Sequence, residues 1–277
     1  MSTVKTALVT GSTDGLGRTV ARSLARNGYR VWLHGRDRTR GEALVQEIAA
    51  QGGQAHFVRA DFASLAEVRA LAATALSELP RLDVLINNAG IGPATANVRG
   101  RELSVDGYEL RFAVNYLAGF LLTRLLLPLL ERSAPARIVN VSSLAQYPLD
   151  FDNLMLERAY SGARAYAQSK LAQILFTFDL AQQLRACGVT VTCLHPATYM
   201  DTTMVRAMGV APTNTVETGA AAVVRLACAP ELAATSGEYF NGLEPARAHA
   251  QAYDATARKR LGEISVHLAP PAAAVTA

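Results

Sequence analysis

Short apolar or β-branched runs alternate along the chain with longer stretches in which apolar residues recur every three or four positions. The runs TALVT (6–10), RVWLHG (30–35), AHFVRAD (55–61), LDVLINNAG (82–90), ARIVNVSS (136–143), VTVTCLHP (189–196) and GEYFN (237–241) read as strands. The stretches 16–28, 40–53, 64–79, one near 106–130, 161–186 and one near 215–229 read as helices. This alternation predicts an α/β protein, a doubly wound parallel sheet of about seven strands with helices on both faces. No composition break or internal repeat divides it, so 1–277 reads as one domain with a mobile tail over about 268–277. The stretches 91–104, 144–160 and 198–214 are irregular. Two of them follow strand carboxyl ends directly, where an open α/β sheet binds its ligands.

Composition narrows the class. Half of the 277 residues are hydrophobic, enough for a sizeable single core. A net charge of +4 is too mild to imply nucleic acid and suits a small anionic ligand. Only three of the 27 basic residues are lysine, namely Lys5, Lys170 and Lys259. The three cysteines, Cys187, Cys193 and Cys228, form no CxxC pair. That odd count suggests a reducing compartment, and a cytoplasmic location is expected. No signal-peptide pattern precedes the first strand. The most apolar run, FLLTRLLLPLL, is interrupted by Arg124 and Pro128 and reads as a core helix, too short to span a bilayer. No metal is expected.

Chemistry first shows in TGSTDGLGR (10–18), which leaves the first strand and opens the first helix. Gly11, Gly15 and Gly17 let backbone approach a pyrophosphate, and the helix N-terminus offers free N–H groups and a positive dipole end. The same glycines also fit a strand-to-helix turn without a ligand; the strand–helix context favours the dinucleotide. At the end of the second strand, HGRDRTR has Gly35 where an NAD-binding loop carries an acid, followed by Arg36. Gly35 leaves room, and Arg36 can clamp a 2′-phosphate, with Arg38 and Arg40 able to help. The alternative is a solvated run of arginines. Asp37 reads as outward-facing or a helix cap.

AYAQSKLAQ (165–173) places Tyr166 and Lys170 four apart, on one helix face. A charged Lys170 would lower the phenol's pKa and let Tyr166 exchange a proton with a carbonyl or alcohol oxygen. An ordinary helical Tyr–Lys pair has the same spacing. Ser143, ending the strand before this helix, could bind the same oxygen. Asn115 lies in the helical stretch FAVNYLAGF, where asparagine is a poor helix former. An amide there needs a reason, such as holding a water or an opened carbonyl.

These residues resemble the short-chain dehydrogenase/reductase family over about residues 5 to 265. The likeness rests on TGSTDGLG, Asp61, NNAG (87–90), Asn115, IVNVSS (138–143), the Tyr166–Lys170 pair and HPA (195–197). Within the family, FAVNYLAGFLLTRLLLPLL and RAYAQSKLAQILFTFDLA look like the retinol-dehydrogenase-like reductases, which reduce lipophilic carbonyls. The resemblance implies a Rossmann-type sheet and a catalytic tetrad of Asn115, Ser143, Tyr166 and Lys170. Asn115 would hold a relay water, Ser143 would bind the substrate oxygen, and Tyr166 would be the acid or base. Lys170 would bind the nicotinamide ribose. It implies NADP(H), with NAD(H) second, held by Gly11, Ser12, Thr13, Gly15, Leu16, Gly17 and Arg36. Asp61 and Phe62 would lie at the adenine, and Asn88, Ala89 and Gly90 along the cofactor behind the fourth strand. Pro196, Thr198 and Thr202 would follow the sixth strand, and Tyr166 and Lys170 would also touch the nicotinamide half. Ser143 is preferred to Ser142 because SLAQ fits the family's S-x-x-G better.

Three departures stand out. Asp14 occupies a position where phosphate-preferring members often carry a base. Pro196-Ala197 replaces Pro-Gly, with the closing threonine one place late at Thr202. The stretch from Ser143 to Tyr166 is long. The expected activity is hydride transfer between NADP(H) and a carbonyl or alcohol, with a bulky lipophilic substrate. Segments 144–163 (Phe151, Leu154, Met155, Leu156, Tyr160) and 198–214 (Met200, Met204, Met208) would form an apolar lid, the methionines as one helical stripe. Asp150, Asp152 and Glu157 would repel anions at its mouth. Other readings are a dinucleotide-binding sensor without turnover and an epimerase or dehydratase on the same fold. A homodimer or homotetramer is expected, with no nucleic-acid partner and no membrane span.

Overall fold

The computed structural model describes residues 4–93 and 100–271. Residues 94–99, within the irregular stretch 91–104, and 272–277, within the expected tail, lie outside the described residues.

The strands are β1 (Thr6–Val9), β2 (Arg30–Gly35), β3 (Gln54–Arg59), β4 (Val84–Asn87), β5 (Ala136–Val141), β6 (Val189–His195), β7 (Glu238–Asn241) and β8 (Glu244–Ala246). They form one sheet in the order β3-β2-β1-β4-β5-β6-β7-β8. All neighbours are parallel except β7 and β8. The eight described strands are one more than the sequence pattern gives, because β8 is a three-residue return strand around Gly242. The helices are α1 (Gly15–Arg26), α2 (Arg38–Ala50), α3 (Leu65–Glu78), α4 (Ala118–Arg132), α5 (Gly162–Gln183), α6 (Thr203–Ala207), α7 (Val216–Cys228) and α8 (Ala255–Leu268).

Because both faces of the sheet are covered, its strands are apolar on every residue that reaches a core. Ala7, Val9, Val31, Leu33, Val84 and Ile86 pack under α1, α2 and α7. Leu8, Trp32, Leu85 and Ile138 alternate to the other face, under α3, α4, α5 and α8. Phe112–Arg132 is long and apolar enough to cross a membrane, but two thirds of its apolar window is buried inside the protein. That fits a core helix packed between α3 and α5.

Three expectations change. The helix expected near 106–130 starts later and opens with a π-helical turn, Phe112–Leu117, in which the Ala118 N–H reaches back five residues to the Ala113 carbonyl. Helix α6 spans only Thr203–Ala207, so the three methionines do not form one helical stripe. Met200 instead bridges to Asn214 and packs on the core beside Gly219. The part of the tail that is described is held: Ala269 is buried, Tyr108 Oη donates to the Leu268 carbonyl at 3.0 Å, and Arg69 donates to that of Pro270 at 2.6 Å.

Candidate active site

The sheet order reverses between β1 and β4, so the loops after these two strands diverge and open a crevice. The glycine loop fills one side of it. Gly11 and Gly15 have φ of +64° and +49°, the left-handed region where a side chain is strained. A Cβ on Gly17 would fall on the Gly11 carbonyl oxygen and the Asn88 amide. Asp14 caps α1 by accepting from the Gly15 N–H at 2.8 Å. This is a cradle of backbone donors at a helix N-terminus, and it fits a dinucleotide pyrophosphate.

His34, which sequence reasoning did not single out, fixes that loop to β2 and β3. It is buried, and its Nδ1 accepts from the Gly11 N–H at 3.2 Å. Its Nε2 therefore carries the proton and donates to the Ala60 carbonyl at 3.1 Å. Its own carbonyl accepts from the Ser12 N–H at 2.9 Å. Burial pushes the imidazole down to about 4, so the ring is neutral, as this pattern requires.

Several predicted cofactor residues do other work with their side chains. Leu16 is buried in the core below α1. Phe62 is buried and stacks on His34, ring centroids 4.2 Å apart. The Asn88 amide donates to the carbonyls of Thr10 and Gly11 at 2.9 and 3.1 Å, stapling the loop after β4 to the glycine loop. Ala89 joins through its N–H to Thr10 Oγ1 at 3.0 Å. Asp61 is half-buried and accepts from the Ala63 N–H. Gly35 does not leave ligand space as expected: a Cβ there would come within 2.5 Å of the Thr13 methyl, so Thr13 occupies that room. Arg36 is exposed at the end of β2 and makes no ion pair among the described residues. Arg38 pairs with Glu42, and Arg40 lies 3.3 Å from Asp37 and 3.6 Å from Asp14.

After β6, Pro196 packs beside Gly219. The Thr198 hydroxyl lies 3.1 Å from His195 Nε2. Thr202 caps α6 and touches Gly15, and the Thr203 hydroxyl donates to Asp14 at 2.7 Å. The chain after β6 thus closes directly on the glycine loop, and Asp14 is the residue it grips.

Deeper in the crevice the tetrad residues come together. Tyr166 is half-buried on α5, its phenol within electrostatic reach of the Ser143 hydroxyl at the end of β5. Ser142 points elsewhere, donating to the Lys170 carbonyl at 2.7 Å. Lys170 is buried one turn on from Tyr166, its ammonium 5.7 Å from the centre of the phenol ring. A Cβ on Gly90 would sit 3.3 Å from Asn115 Oδ1 and 3.5 Å from Lys170 Nζ, so both side chains crowd that glycine. The Asn115 amide makes three hydrogen bonds among the described residues. Oδ1 accepts from the Ile91 N–H at 2.7 Å, and Nδ2 donates to the Ile91 carbonyl at 3.1 Å and to Ser169 Oγ at 2.9 Å. Its side chain therefore fixes the loop after β4, and the π turn directs it there. Ser169, absent from the sequence reading, donates in turn to the Tyr166 carbonyl at 2.7 Å.

The electrostatics also differ from expectation. Burial raises the Tyr166 phenol above its ordinary value, and the Ser143 hydroxyl opposes this. Burial lowers the Lys170 ammonium to about 7. It lies over the ring face and does not act as the phenol's main acidifier. His195 falls to about 4 through burial and the charge of Lys170.

The expected lid is mostly core. Leu154 and Leu156 are buried, Phe151 and Met155 pack on the core, and Tyr160 Oη bridges Arg111 at 2.9 Å and Glu109 at 3.2 Å. Asp150 pairs with Arg164 and Asp152 with Arg260, so neither presents a bare negative charge. Exposed apolar groups in the chain that follows β5 and β6 include Leu144, Tyr147 and Tyr199.

A crossover sheet with a glycine cradle at its switch point, and a hydroxyl pair backed by a buried lysine, define a dinucleotide-linked oxidoreductase fold. The family profile described as short chain dehydrogenase matches residues 5–212, and the chain belongs to the short-chain dehydrogenase/reductase family. It is 40% identical to retinol dehydrogenase 14 of Mus musculus over 290 residues, covering 94% of this chain and 84% of that one. It is 39% identical to retinol dehydrogenase 13 of Homo sapiens, covering 95% and 84%. Among solved structures it resembles an uncharacterized protein from Mycobacterium paratuberculosis, with a TM-score of 0.79, 31% identity and coverage of 96% and 93%. It also resembles RhlG of Pseudomonas aeruginosa in complex with NADP, with a TM-score of 0.70, 28% identity and coverage of 86% and 94%.

Proposed function

We propose that this dehydrogenase/reductase uses NADP(H) and acts on a bulky, neutral, lipophilic aldehyde or ketone, or on the matching alcohol. The observation that carries the reading is the Ser143–Tyr166 hydroxyl pair with Lys170 buried behind it. The dinucleotide, when bound, supplies or accepts the hydride. Ser143 then hydrogen-bonds the substrate oxygen, and Tyr166 gives that oxygen its phenolic proton in reduction or takes it back in oxidation. Lys170 supplies positive charge beside the resulting phenolate. One hydride on carbon and one proton on oxygen complete the alcohol.

Arg36, exposed at the end of β2 and without an ion pair among the described residues, supports NADP(H). So do the NADP- and NADPH-bound relatives. The substrate class draws on the retinol dehydrogenases among the relatives and on exposed Leu144, Tyr147 and Tyr199. A long polyene or aromatic aldehyde suits such a rim. The reading includes a cytoplasmic enzyme that assembles as a homodimer or homotetramer.

The test is a panel of neutral aldehydes and ketones of increasing length, with small keto acids, assayed with NADPH and NADH. Each buried CH₂ adds about 0.8 kcal/mol, so kcat/KM with NADPH rises along the neutral series. A flat profile or a preference for keto acids rejects the substrate class. Cofactor binding without turnover would indicate a sensor, and isomer formation without net cofactor use an epimerase.

A further inference from the structure

Lys170 is the only lysine in the interior among the described residues; Lys5 and Lys259 are exposed. Among the described residues its ammonium donates to two oxygens, the Val141 carbonyl at 2.9 Å and Gln173 Oε1 at 3.1 Å. Gln173 lies one turn further along α5 and is itself buried, with Ala172, Ile174 and Leu175 buried beside it. A buried amide is costly unless it is bonded. An ammonium has only hydrogens to give, so the carbonyl end of the amide must face it.

We propose that Gln173 is a positioning residue for catalysis, which aims the Lys170 ammonium and keeps it protonated through a neutral acceptor. The groups around Lys170 leave it that task. Tyr166 shares its helix, Ser142 and Ser143 come from β5, His195 from β6 and Asn115 from the π turn. No carboxylate among the described residues acts on the lysine's charge, and burial alone moves it. Two neutral oxygens, one of them backbone, therefore hold the proton in place. The third N–H is left for the reaction side, where the Gly90 backbone comes close.

Gln173 is anchored in turn. Its own carbonyl accepts from Thr177 Oγ1 at 2.8 Å, and Thr177 accepts from the Asn140 amide at 2.8 Å. Asn140 Oδ1 accepts from the Asn87 amide at 2.8 Å, which also donates to Thr123 at 2.9 Å. This buried chain of amides and hydroxyls ties the Gln173 turn of α5 to β5, β4 and α4. Buried hydrogen bonds of this kind hold the side chains they join in place, although Asn87 Oδ1 at the far end has no partner among the described residues.

The experiment uses the whole chain labelled with [¹³Cε]lysine, which gives three signals, of which only Lys170 is buried. Its titration is followed by NMR in wild type, Gln173→Leu and Gln173→Glu, alongside the pH profile of kcat. Losing a hydrogen bond to a charged group is worth about tenfold, so the Lys170 midpoint drops by about one unit or more in Gln173→Leu. In Gln173→Glu, which keeps the shape and adds a negative partner, it rises. The matching limb of the kcat profile moves the same way in each variant. An unmoved midpoint in both, or a kcat lowered equally at every pH, overturns the proposal and leaves Gln173 a packing role. If Gln173→Leu does not fold, the direction of the Gln173→Glu shift decides alone. The kinetic arm rests on the oxidoreductase reading, but the NMR arm does not. Absence of turnover with every carbonyl would reject that reading while the titration still judged Gln173.

Discussion

At the scale of residues, the proposed chemistry rests on two hydroxyls and the proposed cofactor preference on one guanidinium. The Tyr166 hydroxyl is the proposed proton donor beside Ser143, so Tyr166→Phe removes a group whose proton the reaction uses. kcat should fall more than tenfold, above about 1.4 kcal/mol, while NADPH affinity measured by fluorescence titration stays within a fewfold of wild type. Arg36 has no ion pair to lose among the described residues, so Arg36→Ala should act on the ligand alone. It should weaken NADPH about ten- to a hundredfold, the worth of a charge-assisted contact, and leave NADH nearly unchanged. Equal losses with both cofactors would make Arg36 a solvated surface charge. The Tyr166–Lys170 juxtaposition was legible from spacing, because a phenol and an ammonium four apart need only a helix to meet, whereas the grouping with Asn115 and Ser143 came from the family resemblance. The pKa pattern was not. Burial, which no spacing reveals, outweighs the attraction between the two groups. Ser169, Gln173 and His34 also escaped, because each acts through a partner distant in sequence or through backbone.

At the scale of elements, the glycine loop shows how much of a motif is packing. A side chain on Gly17 meets the Gly11 carbonyl and the Asn88 amide, both fixed by bonds to β1 and β4. Gly17→Ala must therefore push α1 off the loop. Both cofactors should lose affinity by tenfold or more, and Tm should drop measurably in a thermal melt; a variant with wild-type affinity for both would show that the loop yields. Helix and strand order could be read from the chain because covered strands are continuously apolar. Three local features could not. The π turn depends on Asn115 bonding Ile91 and Ser169. Helix α8 hides its period, since its buried positions Ala257 and Ser265 are small and only Leu261 marks the face. The 144–163 segment looked like a lid because its apolar residues were counted without the core that takes them.

At the scale of the whole molecule, buried bases set the response to pH. His34 and His195 both titrate near 4 in the folded protein, below the 6.5 of a free imidazole. Between about 6.5 and 4 the unfolded chain binds protons that the folded one refuses, so stability falls as pH falls through that window. Fully buried His34 contributes on the order of 3 kcal/mol to this loss, and the less enclosed His195 contributes less. Lys170, lowered to about 7, extends the trend upward, with stability still rising toward its unfolded value near 10.5. Thermal melts from pH 4 to 7 should show Tm dropping steeply on the acid side. His34→Gln, which keeps an acceptor for Gly11 without a titrating ring, should flatten that slope; an unchanged slope would remove His34 from the account.

The return strand β8 reaches beyond the chemistry. An open strand edge is a template on which another chain can be laid, and sheets that leave one bare risk growing without limit. Here the β7 edge is already taken by three antiparallel residues of the same chain, and the middle one, Pro245, has no N–H to offer a newcomer. Copies of this protein cannot queue strand to strand off β7 itself, and the short strand that shields it makes a poor landing place.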